Sequence, residues 1–421
     1  MGTVRIRQWQ FLNHDLRREL NRSKRSKQLQ SPHLIIIPSV PVWTNDGALC
    51  FDRKFYDGLI LYTLYWPGQI SCIMATGRTG LSDFGVVEKR ADELPFSCIV
   101  LGENELVTGE HIKSASLVMA SGDAHDQLHI SALCRQSGIK CVYVIEYIPE
   151  TRYQIASLST KNPVVLLRRL LYIWSYEQKR IAAFNLCDGL QSNGTPAYHH
   201  YHSARNRLFY FDTRVSREQL IGDADLETRL ATLSLDKPLR LAFSGRLIRM
   251  KGADHLVKLA QILKAKGIQF HLTIYGSGDL DSDMRTDIIT SHLENEVSMP
   301  GPVDFHTKLI PDLKANIDLF VCLHRQSDPS CTYLETLSCG VPIVGYKNRA
   351  FAGILELADT GWGTKMNDLD GIAAIIANLG TNRKELAEKS RNSAKFARLH
   401  DFETTYRNRI DHLIAVNSPG S

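Results

Sequence analysis

Two short stretches carry residues whose types and spacing could do chemistry. The first is FSGRLIRMKGADHLVKLA, residues 243–260. An apolar run ends at Ser244, and Gly245 allows a tight turn. Arg246 and Lys251 sit in the loop, and Gly252 opens a helical pattern with a stripe of Leu256, Leu259, Ala260 and Leu263. Two cations beside a helix N-terminus suit a diphosphate, because fixed positive charge and backbone N–H groups converge there. On spacing alone, two solvated loop cations fit equally well. The second stretch is HRQSDPSCTYLETLSCGVPIVGY, residues 324–346. An apolar run, Ile317 to Leu323, leads into it. Asp328 or Ser330 can begin a short helix. Thr332 to Glu335 matches a capping box, in which the Glu335 carboxylate returns to the Thr332 N–H. A carboxylate at a strand end can instead accept two hydrogen bonds from a ribose diol.

Other motifs are weaker. Lys251 precedes its glycine, so the first stretch is not a Walker A loop. YGSGDLDS, residues 275–282, offers G-x-G, but Asp281 stands where a dinucleotide fingerprint needs its third glycine. A nicotinamide enzyme is therefore disfavoured. Asp279, Asp281 and Asp283 read better as a helix start than as a metal site. His125 and His129 have helical spacing and read as ordinary helix residues. Asn45, Asp46 and Gly47 are a turn signal, in a loop that could also line a cleft.

These residues need elements to hold them. HLIIIPSV (33–40) is a continuous apolar strand closed by proline, and similar runs follow at 70–75, 97–101, 116–120 and 141–145. Helical patterns lie between several of them, for example Ala124 to Ser137. Strands alternating with helices predict a parallel sheet. Residues 162–184 predict a long helix with Arg168 and Arg169 inside its apolar half, and 187–194 one more strand and turn. Residues 212–238 are polar and lack a strand pattern, which places a domain junction there. A second series then begins, with strands at 239–245, 270–276, 317–323 and 341–346 and a helix from about 253 to 265. Arg398 to Val416 is helical.

The chain has 421 residues, enough for two domains with full cores. A net charge of +5 does not demand nucleic acid, and no aromatic-plus-basic single-strand motif stands out. Nine cysteines form no C-x-x-C and no zinc-ligand spacing, which fits a reducing compartment. The first twenty residues are polar and charged rather than a signal peptide. No apolar run approaches the ~20 residues of a membrane span. A cytoplasmic protein is expected. Arg5, Arg7, Arg17, Arg18, Arg22, Lys24, Arg25 and Lys27 crowd the N-terminus. They read as a solvated tail or as a contact with an anionic membrane face. The basic and apolar helix at 162–180 could join that contact, at the cytoplasmic face of an inner membrane, or be a buried helix with snorkelling arginines.

The order SGR, four residues, KG, then Y-G-x-G, a strand, and D-P-S-C-x-x-x-E-x-x-x-x-G-V-P-I-V-G resembles the C-terminal half of a retaining nucleotide-sugar glycosyltransferase of family 4, of the bacterial polysaccharide-biosynthesis type. The resemblance is strong from about 239 to 400 and weaker from 33 to 211. It implies an α/β GT-B fold, with two Rossmann-like parallel-sheet domains facing a cleft and a C-terminal crossover helix. The expected divisions are a basic segment 1–30, an acceptor-side domain 31–235, a donor-side domain 236–395 and a helix 396–421 packing back on the first domain. In that family, residues matching Gly245, Arg246, Lys251 and Gly276 surround the donor diphosphate. Ser327, Asp328, Ser330, Cys331 and Thr332 match the loop that cradles sugar and phosphate, and Glu335 the ribose ligand. Arg246, Lys251, Asp328 and Glu146 are the catalytic candidates, and Asp46, Gly47 and Glu146 the acceptor-side ones.

Two departures mark this chain. The family commonly has an E-x7-E pair, yet Ser327 stands eight residues before Glu335, with Asp328 one place later. Many members carry a histidine after an N-domain strand, where this chain has Glu146 in CVYVIEY (141–147). The resemblance implies hexose transfer from a nucleotide-diphosphate sugar to a saccharide or lipid-linked saccharide, with no obligatory metal or other cofactor. The competing readings are a degenerate scaffold that only binds nucleotide sugars or regulates, and an epimerase or hydrolase on the same fold.

Overall fold

The computed structural model describes residues 31–77, 85–160 and 162–418. The basic segment 1–30 lies outside the described residues. Two parallel sheets dominate. The first has seven strands, in spatial order β10-β9-β8-β7-β1-β4-β6. These are β1 (His33–Ile37), β4 (Gln69–Ala75), β6 (Ser97–Leu101), β7 (Leu117–Ser121), β8 (Lys140–Ile145), β9 (Gly189–Asn193) and β10 (Arg207–Tyr210). Strands β2 (Trp43–Asn45), β3 (Ala48–Asp52) and β5 (Val86–Lys89) form a small antiparallel sheet beside it. The second parallel sheet runs β13-β12-β11-β14-β15-β16. Its strands are β11 (Leu239–Ser244), β12 (Phe270–Tyr275), β13 (Val297–Gly301), β14 (Leu319–Cys322), β15 (Ile343–Tyr346) and β16 (Gly361–Thr364). That order is the Rossmann order, which reverses direction between β11 and β14.

The central strands are apolar throughout because helices cover both faces of each sheet. Leu241, Phe243, Leu319, Val321 and Val344 are fully buried, against Leu256, Leu259 and Leu263 of the helix Leu256–Ala265. Each such side chain contributes about 1.5–3 kcal/mol by leaving water.

The apolar runs place the central strands well, and the ends differ for physical reasons. The run at 33–40 stops as a strand at Ile37, ahead of Pro38, and that at 341–346 starts at Ile343, after Pro342. The short edge strands β10, β13 and β16 lacked a signal, because Arg207, Pro300, Gly301, Gly361 and Gly363 dilute the pattern. The junction also moves. The helix Asp223–Ala231 lies inside the polar stretch 212–238, yet Leu226 and Leu230 pack on the second domain with Ala394. Buried Arg229 donates to the carbonyls of Leu313, Lys314, Cys339 and Gly340 there. Val215 already belongs to the second core, so the chain crosses before residue 215 rather than at 235.

The helix Phe402–Asn417 returns to the first domain. Tyr406 meets Tyr62 edge-on, and Gly58 of the helix Arg53–Tyr65 leaves the room its ring fills.

Candidate active site

The C-terminal ends of β11 and β12 face a cleft of about 1080 Å³, which Arg53, Lys54 and Asp57 of the helix Arg53–Tyr65 line from the first domain. In the second domain this is the switch point between β11 and β14, where an open α/β sheet leaves a crevice. Gly245, Arg246 and Lys251 follow β11, and Gly276 follows β12; all four line the cleft. Gly276 has φ +124°, and a Cβ there would stand 2.0 Å from the Gly245 carbonyl oxygen. Gly252 has φ +73°, and its Cβ would meet the Leu323 oxygen at 2.0 Å. Glycine at these positions lets the β11, β12 and β14 loops touch backbone to backbone.

After β14, the helix Cys331–Ser338 starts with Ser330 as its N-cap. Ser330, Cys331, Thr332 and Glu335 line the same cleft. Glu335 does not close a capping box. Its Oε1 accepts a hydrogen bond from Arg214 Nε at 2.7 Å. The Arg214 guanidinium lies 3.6 Å from the centroid of the Phe305 ring, and both residues line the cleft. Arg246 is exposed on the cleft wall, whereas Lys251 is buried and donates to Asp328 Oδ2 at 3.2 Å.

Three groups of candidates fall elsewhere. Ser327 and Asp328 are buried behind the cleft wall instead of on it. The Ser327 N–H donates to Gln154 Oε1 of the first domain at 2.9 Å, and its Oγ accepts from the Arg349 N–H at 3.3 Å. Ser327 is thus a tie between domains, and Asp328 reaches the cleft through Lys251. Asp46 and Gly47 do not come to the cleft at all. They form the exposed two-residue turn of the β2–β3 hairpin, at φ +46° and +78°.

Glu146 follows β8 and lines a smaller cavity of about 210 Å³ in the first domain. This lies at that sheet's own switch point, between the ends of β1 and β7. Phe55, Leu59, Tyr62 and Met119 contribute apolar wall, and Asp123, Glu146, Asp212 and Arg409 supply the charged groups. Asn193 Nδ2 donates to Glu146 Oε2 at 3.3 Å. Burial, with Asp123, Asp212 and Asp328 nearby and Lys54 opposing, pushes the Glu146 carboxyl up to about 8. Asp123 is also raised, chiefly by burial, although Arg152 and two backbone N–H groups oppose the shift.

The sequence reading missed the first domain's share of the cleft. Lys54, in the first turn of the helix Arg53–Tyr65, donates to Asp212 Oδ2 at 2.5 Å and to Cys331 Sγ at 3.1 Å. Burial alone would lower its ammonium, but the Asp212 carboxylate outweighs that and holds it well above its usual value. Arg53 and Asp57 line the cleft beside it. The signal for Lys54 was a cation just after an apolar strand, in FDRKF. Arg214 sat unmarked in the polar junction. Among the described residues, no group of three His, Cys, Asp or Glu is placed to hold a metal ion.

Beyond this geometry, the chain resembles known proteins over part of its length. Residues 227–397 match the family of glycosyl transferases group 1. The chain is 26% identical over 159 residues to the amylovoran biosynthesis glycosyltransferase AmsK of Erwinia amylovora, an overlap of 36% of this chain and 39% of that protein. It is 25% identical over 184 residues to the putative colanic acid biosynthesis glycosyltransferase WcaL of Salmonella typhimurium, 41% of this chain and 43% of that protein. The similarity thus spans less than half the length of these relatives. In structure, the chain superposes on Anabaena HepE in complex with UDP with TM-score 0.61 at 14% identity, covering 91% of this chain and 99% of that one. The lipopolysaccharide outer core galactosyltransferase WaaB, in its apo form, gives TM-score 0.61 at 11% identity, with 91% and 99% covered. The fold is GT-B.

Proposed function

We propose that this protein is a retaining glycosyltransferase of the family 4 type. It moves a hexose from a nucleotide-diphosphate sugar to a saccharide or lipid-linked saccharide during assembly of a cell-surface polysaccharide. The observation that carries this reading is the convergence in one cleft of Arg246, Lys251, the start of the helix Cys331–Ser338 and the Glu335 carboxylate. Two cations and free N–H groups suit a diphosphate, and a carboxylate suits a ribose diol. The match of 227–397 to glycosyl transferases group 1 and the UDP bound by HepE support the same assignment.

In the proposed reaction, the bond from the sugar C1 to the diphosphate oxygen breaks. A bond from C1 to the acceptor oxygen forms on the same face. The acceptor proton passes to an oxygen of the departing diphosphate. Arg246 and Lys251 stabilise the charge that develops there, so no metal is required of them. Glu146 faces the first domain's cavity, on the side assigned to the acceptor.

The test pairs binding with turnover. The full chain is melted with UDP-, GDP- and dTDP-hexoses; a donor at 100 Kd stabilises it by about 2.7 kcal/mol. Nucleotide-diphosphate release is then followed with and without saccharide acceptors, and acceptor-dependent release identifies a transferase rather than a hydrolase. Lys251→Ala and Arg246→Ala each lower turnover by about 10²–10³. Near-normal transfer by both variants overturns the assignment.

A further inference from the structure

The helix Pro163–Leu186 has two apolar faces, and the fold uses one of them. Ala183 and Phe184 are buried in the first domain's core, with Glu177 and Arg180 buried beside them. On another side, Val164, Leu167, Leu171 and Trp174 follow at i, i+3, i+7 and i+10, which is one stripe of a helix surface. They are 61%, 58%, 58% and 59% exposed. Surface leucines scattered singly need no explanation, but an aligned stripe of four large side chains does. Leu158, at the end of the preceding helix Pro149–Ser159, is also exposed.

The charge around the stripe selects its partner. Residues 160–176 contain no Asp or Glu. Arg168, Arg169 and Lys179 are exposed on the same helix. A second copy docking about a two-fold axis would bring these cations against their own equivalents. A protein partner would have to supply a matching acidic rim. An anionic lipid surface answers both needs: its headgroups pair with the cations, and the apolar stripe enters the acyl boundary with the tryptophan at the interface. The helix does not span, since no helix among the described residues is long and apolar enough to cross a membrane.

We infer that the Val164–Trp174 stripe is a docking surface for an anionic bilayer, entered in the plane of the interface. The inference rests on this surface and not on the transferase reading, so either can fail alone. The docked element is tied to the cleft. Gln154, on the helix Pro149–Ser159 that packs beside this one, accepts the Ser327 N–H of the loop behind the cleft, and Glu150 pairs with Arg349 at 2.7 Å.

The experiment is co-sedimentation of the full chain with vesicles of phosphatidylcholine alone and with 30 mol% phosphatidylglycerol, a content on the order used to mimic an anionic leaflet. The protein is expected to pellet with the anionic vesicles and to be released by high salt. The double variant Leu167→Glu, Leu171→Glu is expected to lower the bound fraction at least about tenfold without changing the melting temperature, because both side chains are exposed. An Arg168→Glu variant is expected to weaken binding to anionic vesicles alone. Absence of binding to either vesicle overturns the inference. So does binding that the double variant leaves intact, which would place the contact elsewhere, for example in residues 1–30. Self-association in solution that the double variant abolishes also overturns it, in favour of a second copy.

Discussion

The Lys251 ammonium donates to Oδ2 of Asp328 at 3.2 Å, and of this buried pair only the lysine lines the cleft. Asp328 therefore acts through Lys251: it fixes the ammonium's position and balances its charge in a poorly hydrated place. Asp328→Asn keeps the shape and removes the balancing charge. Removing one partner of a buried pair is costly because it strands the other, here by about 3 kcal/mol. Urea unfolding of Asp328→Asn is expected to show a midpoint lowered accordingly. An unchanged midpoint would mean that the pair does not hold Lys251.

A similar argument applies to Glu335 and Arg214. The carboxylate is nearly buried, and the guanidinium that serves it also rests on Phe305. Arg214→Ala leaves Glu335 with a lost charged hydrogen bond, at a cost of about 1–3 kcal/mol. Arg214→Lys is expected to fall between, since an ammonium keeps the charge but not the planar stacking. Chemical denaturation of the three proteins gives the order; equal stabilities would refute it.

Much of the second domain was legible from residue order. The strands β11, β12, β14 and β15 are continuous apolar runs, and a parallel sheet covered on both faces requires them. Gly245, Arg246, Lys251 and Gly276 could be placed because strand ends converge at a switch point. The fates of Ser327 and Glu335 were not legible. Both depend on partners more than 100 positions away, Gln154 and Arg214, and no local pattern encodes such a pairing. Lys54 escaped for the same reason, because its partners Asp212 and Cys331 come from the interdomain crossing and the other domain. The Asp46–Gly47 turn was legible as a turn, and that is what it is.

The Glu146 carboxyl, pushed up to about 8 mainly by burial, makes stability depend on pH. Between the unfolded value near 4.3 and about 8, the folded chain holds a proton that the unfolded chain has released. Stability from this group is therefore full at low pH and declines as pH rises through that window. Asp123 is raised as well and adds to the decline. Glu146→Gln stays neutral in both states and is expected to flatten the dependence of unfolding free energy on pH from about 5 to 8. A parent protein whose stability climbs through that range would contradict the placement.

The nine cysteines are all free thiols, and only Cys98 and Cys331 are less than fully buried. Burial, with Asp212 and Glu335 adding and Lys54 opposing, pushes the Cys331 thiol up to about 12, and burial takes Cys98 to about 11. Neither is an activated nucleophile at pH 8, because the thiolate is the reactive form. Thiol titration with an aromatic disulfide is expected to show no fast stoichiometric phase in the native protein and nine thiols after denaturation. A single fast thiol mapped to Cys331 would show that the Lys54 ammonium dominates there instead.

Gly252 joins Lys251 to the helix behind it at φ +73°, with the Leu323 carbonyl where a side chain would begin. Alanine pays for the left-handed backbone with about 1–2 kcal/mol, before any clash is counted. The clash is the larger effect, because a Cβ would lie 2.0 Å from a backbone oxygen at the end of β14, and neither chain segment can move without the other. Relief requires the β11 and β14 loops to separate, which shifts Lys251 away from Asp328. Gly252→Ala is expected to lower the unfolding midpoint more than Gly47→Ala does. Gly47 has a similar positive φ, but a Cβ there meets nothing within 4 Å. Comparing the two variants isolates the contact from the backbone strain. Equal losses would show that the loops do not meet at Gly252.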